Sequence, residues 1–266
     1  MAARARGIYE GDDAMDLGLA GARALVTGAS RGIGRAIAET LADEGADVAV
    51  CARGQEGVDE ALAALSAKGV KAVGSAVNVA DADAYKAWIE SSAEALGGID
   101  ILVANASAGP GGGEKAWTKN LAVDVMTLVR GMEVAQPMLT ESTRASVVAI
   151  GTTAAFETFQ GATSYNAMKA ALIVHASNLA HVLAPVGIRV NSVSPGPIFF
   201  EGGPWDLVKQ HMPEMYEAAL AQQAGGAMGT PEDVARAVAF LASPAASHIS
   251  GVNLVVDGTF TQRVNF

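Results

Sequence analysis

The sequence predicts an α/β fold, a single doubly wound domain of about seven parallel strands with helices on both faces. Three observations predict it. Short β-branched runs alternate with helical patterns of about ten to twenty residues, the spacing that right-handed parallel crossovers need. The strand runs are nearly all apolar rather than alternating, as strands buried on both faces are. The 266 residues, half of them hydrophobic with a mean hydropathy of +0.27, suffice for one large core, and 30 glycines suit many tight strand-to-helix turns.

The elements follow in order. Residues 1–16 mix charge and glycine without periodicity and are expected to form a loose extension; the domain is expected over 17–266. The strand candidates are Ala22–Gly28, Asp47–Ala52, Lys71–Val77, Asp100–Ala106, Ser146–Gly151, Ile188–Val193 and Val252–Gly258. No repeat and no linker divides them. One stretch breaks the rhythm: residues 198–228 read as two short helical pieces broken by Gly and Pro. Lying beyond a strand's carboxyl end, where such sheets bind ligands, they form a candidate substrate lid.

Composition excludes several classes of function. With a net charge of −10 and a pI near 4.8, and no basic stripe, the chain is not expected to bind nucleic acid. Its one cysteine, Cys51, sits in an apolar run and reads as a small buried hydrophobe; no disulfide within the chain is available. Nowhere do eighteen apolar residues run together, and the N-terminus has no apolar segment behind its arginines, so no membrane partner and a cytoplasmic location are expected. His175, His181, His211 and His248 show no ligand grouping, and no catalytic metal is expected.

TGASRGIG, Thr27–Gly34, follows the first strand and opens a helix. Gly28, Gly32 and Gly34 let backbone approach a pyrophosphate, which then sits on the free N–H groups of the helix N-terminus beside Ser30, Arg31 and Ile33. An acidic residue about 20 positions on would grip the ribose 2′-hydroxyl of NAD. The second strand instead ends in Cys51-Ala52-Arg53. Arg53 and Arg31 are suited to a 2′-phosphate, although both also read as solvated surface residues; the missing acid favours NADP over NAD.

SYNAMK places Tyr165 and Lys169 at i and i+4, on one face of a helix. That spacing alone occurs by chance in many helices. Together with TGASRGIG, RVNSVSPGPI (Arg189–Ile198) and GTPEDVARAVAFLASPAASHISGVNLVVDG (Gly229–Gly258), however, it resembles the short-chain dehydrogenase/reductase family, over Leu17 to Gly258. The resemblance implies a Rossmann-type oxidoreductase with Tyr165 as general acid or base. It implies that Lys169 binds the nicotinamide ribose and, as a cation near a phenol whose ordinary pKa is about 10, draws that pKa down. It also implies that Pro195, Gly196 and Ile198 hold the carboxamide, and that Asn105, Asn78 and Val79 contribute to the cofactor site. Relatives are usually tetramers, and the ending TFTQRVNF is apolar enough to pack on a neighbour.

The chain departs from the family pattern in places. The usual substrate-binding serine, thirteen residues before the tyrosine, is Thr152, whose hydroxyl keeps the donor and acceptor; Thr153 is the neighbouring alternative. The usual asparagine of the proton relay falls on Asp124, with Asn120 a decoy one turn earlier, and the aspartate's charge near Lys169 would favour the ammonium. Asn78 stands where an aspartate commonly meets the adenine, and Phe200 where a threonine often touches the pyrophosphate. GPGGGEK, Gly109–Lys115, resembles a P-loop only superficially, because Glu114 precedes the lysine and no Ser or Thr follows.

Phe199, Phe200, Trp205, Met212, Met215 and Tyr216 of the lid, with Phe156 and Phe159, suggest an apolar, adaptable pocket. The expected function is therefore NADP(H)-dependent interconversion of a small hydrophobic ketone and its secondary alcohol. Two alternatives stand beside it. Reduction of 3-oxoacyl groups on an acyl carrier protein would require an acidic chain to receive an acidic carrier. A non-catalytic dinucleotide sensor would leave Thr152, Tyr165 and Lys169 together without use.

Overall fold

A computed structural model describes residues 16–158 and 161–262; nearly all of the expected N-terminal extension, Phe159, and the last four residues of TFTQRVNF lie outside the described residues. All seven strands form where the apolar runs place them: β1 (Arg23–Thr27), β2 (Asp47–Ala52), β3 (Ala72–Ala76), β4 (Ile101–Ala104), β5 (Ser146–Ile150), β6 (Arg189–Pro195) and β7 (Asn253–Val256). They pair in parallel in the order β3-β2-β1-β4-β5-β6-β7. The order reverses between β1 and β4, and a crevice opens there above the carboxyl ends.

Strand alternation feeds two cores, which is why the strands read as continuous apolar runs. Val26, Val48, Val50 and Val103 face one layer, formed by α1 (Gly32–Asp43), α2 (Gln55–Ser66) and α9 (Pro231–Ala242). Leu25, Ala49, Leu102 and Val147 face the other, formed by α3 (Ala82–Leu96), α5 (Met126–Thr140) and α6 (Ser164–Leu183). Val48 and Leu25 are fully buried on opposite faces.

The amino edge of the sheet is closed by charge. The Arg23 side chain binds both carboxylate oxygens of Asp100, at 2.8 and 2.7 Å. Arg144 donates to the carbonyls of Gly18 and Ala20, and Arg189 to those of Leu241, Ala242 and Ser243 at the end of α9. The last carbonyls of α9 thus find a cation, as a helix C-terminus favours.

The expected lid contains two short helices, α7 (Pro204–His211) and α8 (Pro213–Leu220). Each opens on a proline, whose fixed φ suits a first helical position and whose missing N–H would have had no partner there. Gly203 is the N-cap of α7. Phe199, Val208, Tyr216 and Leu220 pack around Trp205, Ala219, Met228 and Phe260 as a small separate core, to which Phe260 comes from beyond β7.

Among the described residues, Ser164–Val186 has the length and mean hydropathy (1.2) of a membrane-crossing segment. Leu172, Ala176, Ala180 and Leu183 pack one face of it on the sheet, and Val174, Val182 and Val186 are left exposed.

Candidate active site

The glycine loop is built by close approach. Gly28 has φ +69°, and a Cβ there would come 3.0 Å from Ala106 Cα. A Cβ at Gly34 would collide with the Asn105 amide and the Gly28 carbonyl. Asn105 Nδ2 donates to the carbonyls of Thr27 (2.8 Å) and Gly28 (3.1 Å), so this side chain braces the loop as well as facing the cleft. Gly32 differs from the expectation: a Cβ there would meet the Phe200 ring at 2.6 Å, and the residue lies beneath that ring rather than on the cleft wall.

Above this loop lies a cleft of about 660 Å³. Gly28, Ser30, Arg31, Ile33 and Gly34 line it at the loop; Arg53, Asn78 and Val79 line it beyond β2 and β3. Thr152, Tyr165 and Lys169, with Pro195, Gly196 and Ile198, line it beyond β5 and β6. The N-cap of α1 is Arg31, with no side-chain cap and no acid in the first turn. By contrast, α9 begins with a full capping box, Thr230 and Asp233. The bare N–H groups of α1 and the glycine cradle fit a dinucleotide pyrophosphate. Arg53 makes no ion pair or hydrogen bond among the described residues, whereas Arg31 donates to the Gly202 carbonyl at 3.0 Å.

At the other end Tyr165 lines the cleft beside Thr152, whose Oγ1 accepts from Ala154 N at 3.3 Å. Burial pushes the Tyr165 pKa up to about 12; the nearby Thr152 hydroxyl opposes the rise and the Asp124 charge adds to it. The downward pull expected of Lys169 acts together with the oxidised nicotinamide, against this rise. Lys169 is itself buried, donating from Nζ to the Ile150 carbonyl at 2.7 Å and lying 3.3 Å from Asp124 Oδ1. Burial lowers its pKa and Asp124 works against that fall.

Asp124 is not on the cleft wall. It sits in a π-helical turn, Leu121–Val125, that joins α4 (Gly113–Asn120) to α5. Asn120 is more than a decoy: buried, it donates to Asp124 Oδ2 at 2.8 Å and accepts from Ser164 Oγ at 2.7 Å. The i, i+4 spacing of Asn120 and Asp124 was the available signal, because neighbouring buried polar groups need partners. Ser107, Lys119 and Phe260 also line the cleft, and sequence reasoning missed them. Among the described residues of the expected aromatic lining, Phe200 and Trp205 reach it; Phe199 and Tyr216 meet edge to face at 6.2 Å inside the lid, and Met212 is exposed. Burying an aromatic pair within the segment outweighs presenting it to an open cleft.

The chain matches a family model described as enoyl-(acyl carrier protein) reductase over residues 28–261. It is 40% identical over 246 residues to an isoepoxydon dehydrogenase from Penicillium expansum, covering 91% of this chain and 95% of that protein. It is 36% identical over 254 residues to human dehydrogenase/reductase SDR family member 4, covering 92% and 90% respectively. The crystal structure of L-sorbose reductase from Gluconobacter frateurii, complexed with NADPH and L-sorbose, superposes with a TM-score of 0.87 at 30% identity, covering 94% of this chain and all of that one. The chain belongs to the short-chain dehydrogenase/reductase family, a class of oxidoreductases.

Proposed function

We propose that this protein is an NADPH-dependent reductase that converts a compact ketone to a secondary alcohol, with Tyr165 supplying the proton. The observation that carries this reading is the convergence of Thr152, Tyr165 and Lys169 on the same cleft as an uncapped glycine loop. When bound, the nicotinamide supplies the hydride. Thr152 Oγ1 and the Tyr165 hydroxyl converge on the substrate oxygen; Tyr165 gives that oxygen its proton, and Thr152 fixes its position. Lys169, anchored to Ile150, is placed to hold the nicotinamide ribose. Arg53, free of partners among the described residues, and Arg31 support a 2′-phosphate, and the similar sorbose reductase binds NADPH.

Trp205, Phe260 and Ala154 support an apolar face on the substrate; Ser107 and Thr153 leave donors for oxygen substituents. A homotetramer is supported by the apolar surface at Val174 and Val182 on α6 and at Leu254 on β7. Sedimentation tests the assembly. The function is tested by NADPH-linked turnover of cyclic, aryl, steroid and 3-oxoacyl ketones, with NADH alongside. Preference for NADPH and one class of compact ketone is expected; activity confined to carrier-bound 3-oxoacyl groups overturns the substrate assignment.

A further inference from the structure

The catalytic tyrosine stands next to a buried pair rather than next to a lone cation. Lys169 Nζ and Asp124 Oδ1 are 3.3 Å apart, with side chains 2% and 0% exposed. Asp124 Oδ2 is held from two sides, by Asn120 Nδ2 at 2.8 Å and by the Ala108 backbone N–H at 3.2 Å. Asn120 is fixed in turn: its Nδ2 also donates to the Gly109 carbonyl at 2.9 Å, and its Oδ1 accepts from Ser164 Oγ at 2.7 Å. The network ties the loop after β4 to the first turn of α6, and Ser164 directly precedes Tyr165. One carboxylate is thereby held against one ammonium from several sides.

We propose that Asp124, positioned by Asn120 and Ser164, offsets the charge of Lys169 and so keeps Tyr165 in its proton-donating form up to alkaline pH, where the base that alcohol oxidation needs first appears. The proposal rests on the reading of Tyr165 as the proton donor. A lone ammonium beside a phenol favours the phenolate, the form that alcohol oxidation needs as its base. A pair gives much weaker help, because the Asp124 charge opposes that of Lys169 at the phenol. Burial pushes the Tyr165 pKa up, and the Asp124 charge adds to that rise. The other groups around the pair leave the balance unchanged. Ile150 offers only a carbonyl, Thr152 and Thr153 only hydroxyls, and the loop after β4 only backbone and Ser107. Lys119, on α4, is exposed at the cleft mouth. Glu157 lines a separate shallow groove with Asn166 and Ala170.

Asp124 is thus a positioning residue, and its test needs a readout that a structural role would not move. Ketone reduction and alcohol oxidation are followed from about pH 6 to about pH 10 in the wild type, Asp124→Asn and Asp124→Glu. Tyr165 is titrated in the free protein by NMR of ring-labelled tyrosine, assigned by the resonance lost in Tyr165→Phe. In Asp124→Asn the alkaline limbs of both oxidation and reduction are expected to move about one unit or more toward neutral, raising the oxidation turnover number at neutral pH about tenfold. The Tyr165 titration moves down with them, and Asp124→Glu keeps the wild-type profile. Should Asp124→Asn not fold, Asp124→Ser removes the same charge and is read the same way. An unchanged Tyr165 titration on loss of the charge overturns the proposal. Absence of turnover in both directions would instead defeat the functional reading, with the free-protein titration still deciding the role of Asp124.

Discussion

The two edges of the sheet use charge in opposite ways. At the amino edge, Arg23, Arg144 and Arg189 are each consumed by a carboxylate or by backbone carbonyls. At the carboxyl edge, Arg53 has no partner among the described residues, α1 begins uncapped, and Lys169 is held in a buried pair beside a phenol. The amino edge stores stability by satisfying its groups. The carboxyl edge leaves groups free for a ligand, or poises them for proton transfer, and gives up stability to do so.

The largest effect that would sharpen this contrast comes from Tyr165→Phe, which removes the proton donor and keeps the ring. Ketone reduction is expected to fall by about 10² to 10⁴-fold, with the melting temperature unchanged or higher. A variant that retained most of its turnover would take Tyr165 out of the mechanism. Arg23→Ala should do the reverse. Leaving Asp100 without its bidentate partner is expected to cost about 2–3 kcal/mol in denaturant unfolding, with NADPH-linked activity per folded molecule unchanged.

Arg53→Ala tests the open cation. It is expected to raise the KM for NADPH about tenfold, near 1.4 kcal/mol, and to leave the KM for NADH alone. Equal effects on both cofactors would place Arg53 away from the 2′-phosphate. The smallest effect is a pH dependence of the amino edge. Burial alone would raise the Asp100 pKa, but hydrogen bonds from Arg23 and Ser142 hold it below the ordinary carboxylate value. A depressed folded-state pKa gives stability that is present above the unfolded value, near 3.9, and lost as pH falls through the folded value. Acid unfolding of the wild type should show that loss, and Arg23→Ala should flatten it.

Much of this contrast was legible in the sequence. The seven strands were, because burial on both faces forces continuous apolar runs, and the glycine loop was, because close backbone approach excludes side chains. Thr152, Tyr165 and Lys169 could be placed on one cleft by motif and spacing. What escaped depended on contacts distant in sequence. The hydrogen bond from Ser164 to Asn120 crosses from one helix to another, and the local i, i+4 spacing to Asp124 does not reveal it. The inward turn of Phe199 and Tyr216 depends on how the lid folds on itself. The upward shift at Tyr165 depends on the depth of its hydroxyl and on Asp124 behind Lys169, neither of which a motif encodes.

The ring of Phe200 over Gly32 has an evolutionary consequence. A methyl group at position 32 would lie 2.6 Å from the far end of that ring, so losing the glycine would oblige the ring to swing away or shrink. A lineage that shrank the phenylalanine would remove that contact, yet the φ of +56° would still favour glycine. The coupling is therefore lopsided: a change at Phe200 leaves position 32 as it was, whereas a change at Gly32 displaces Phe200.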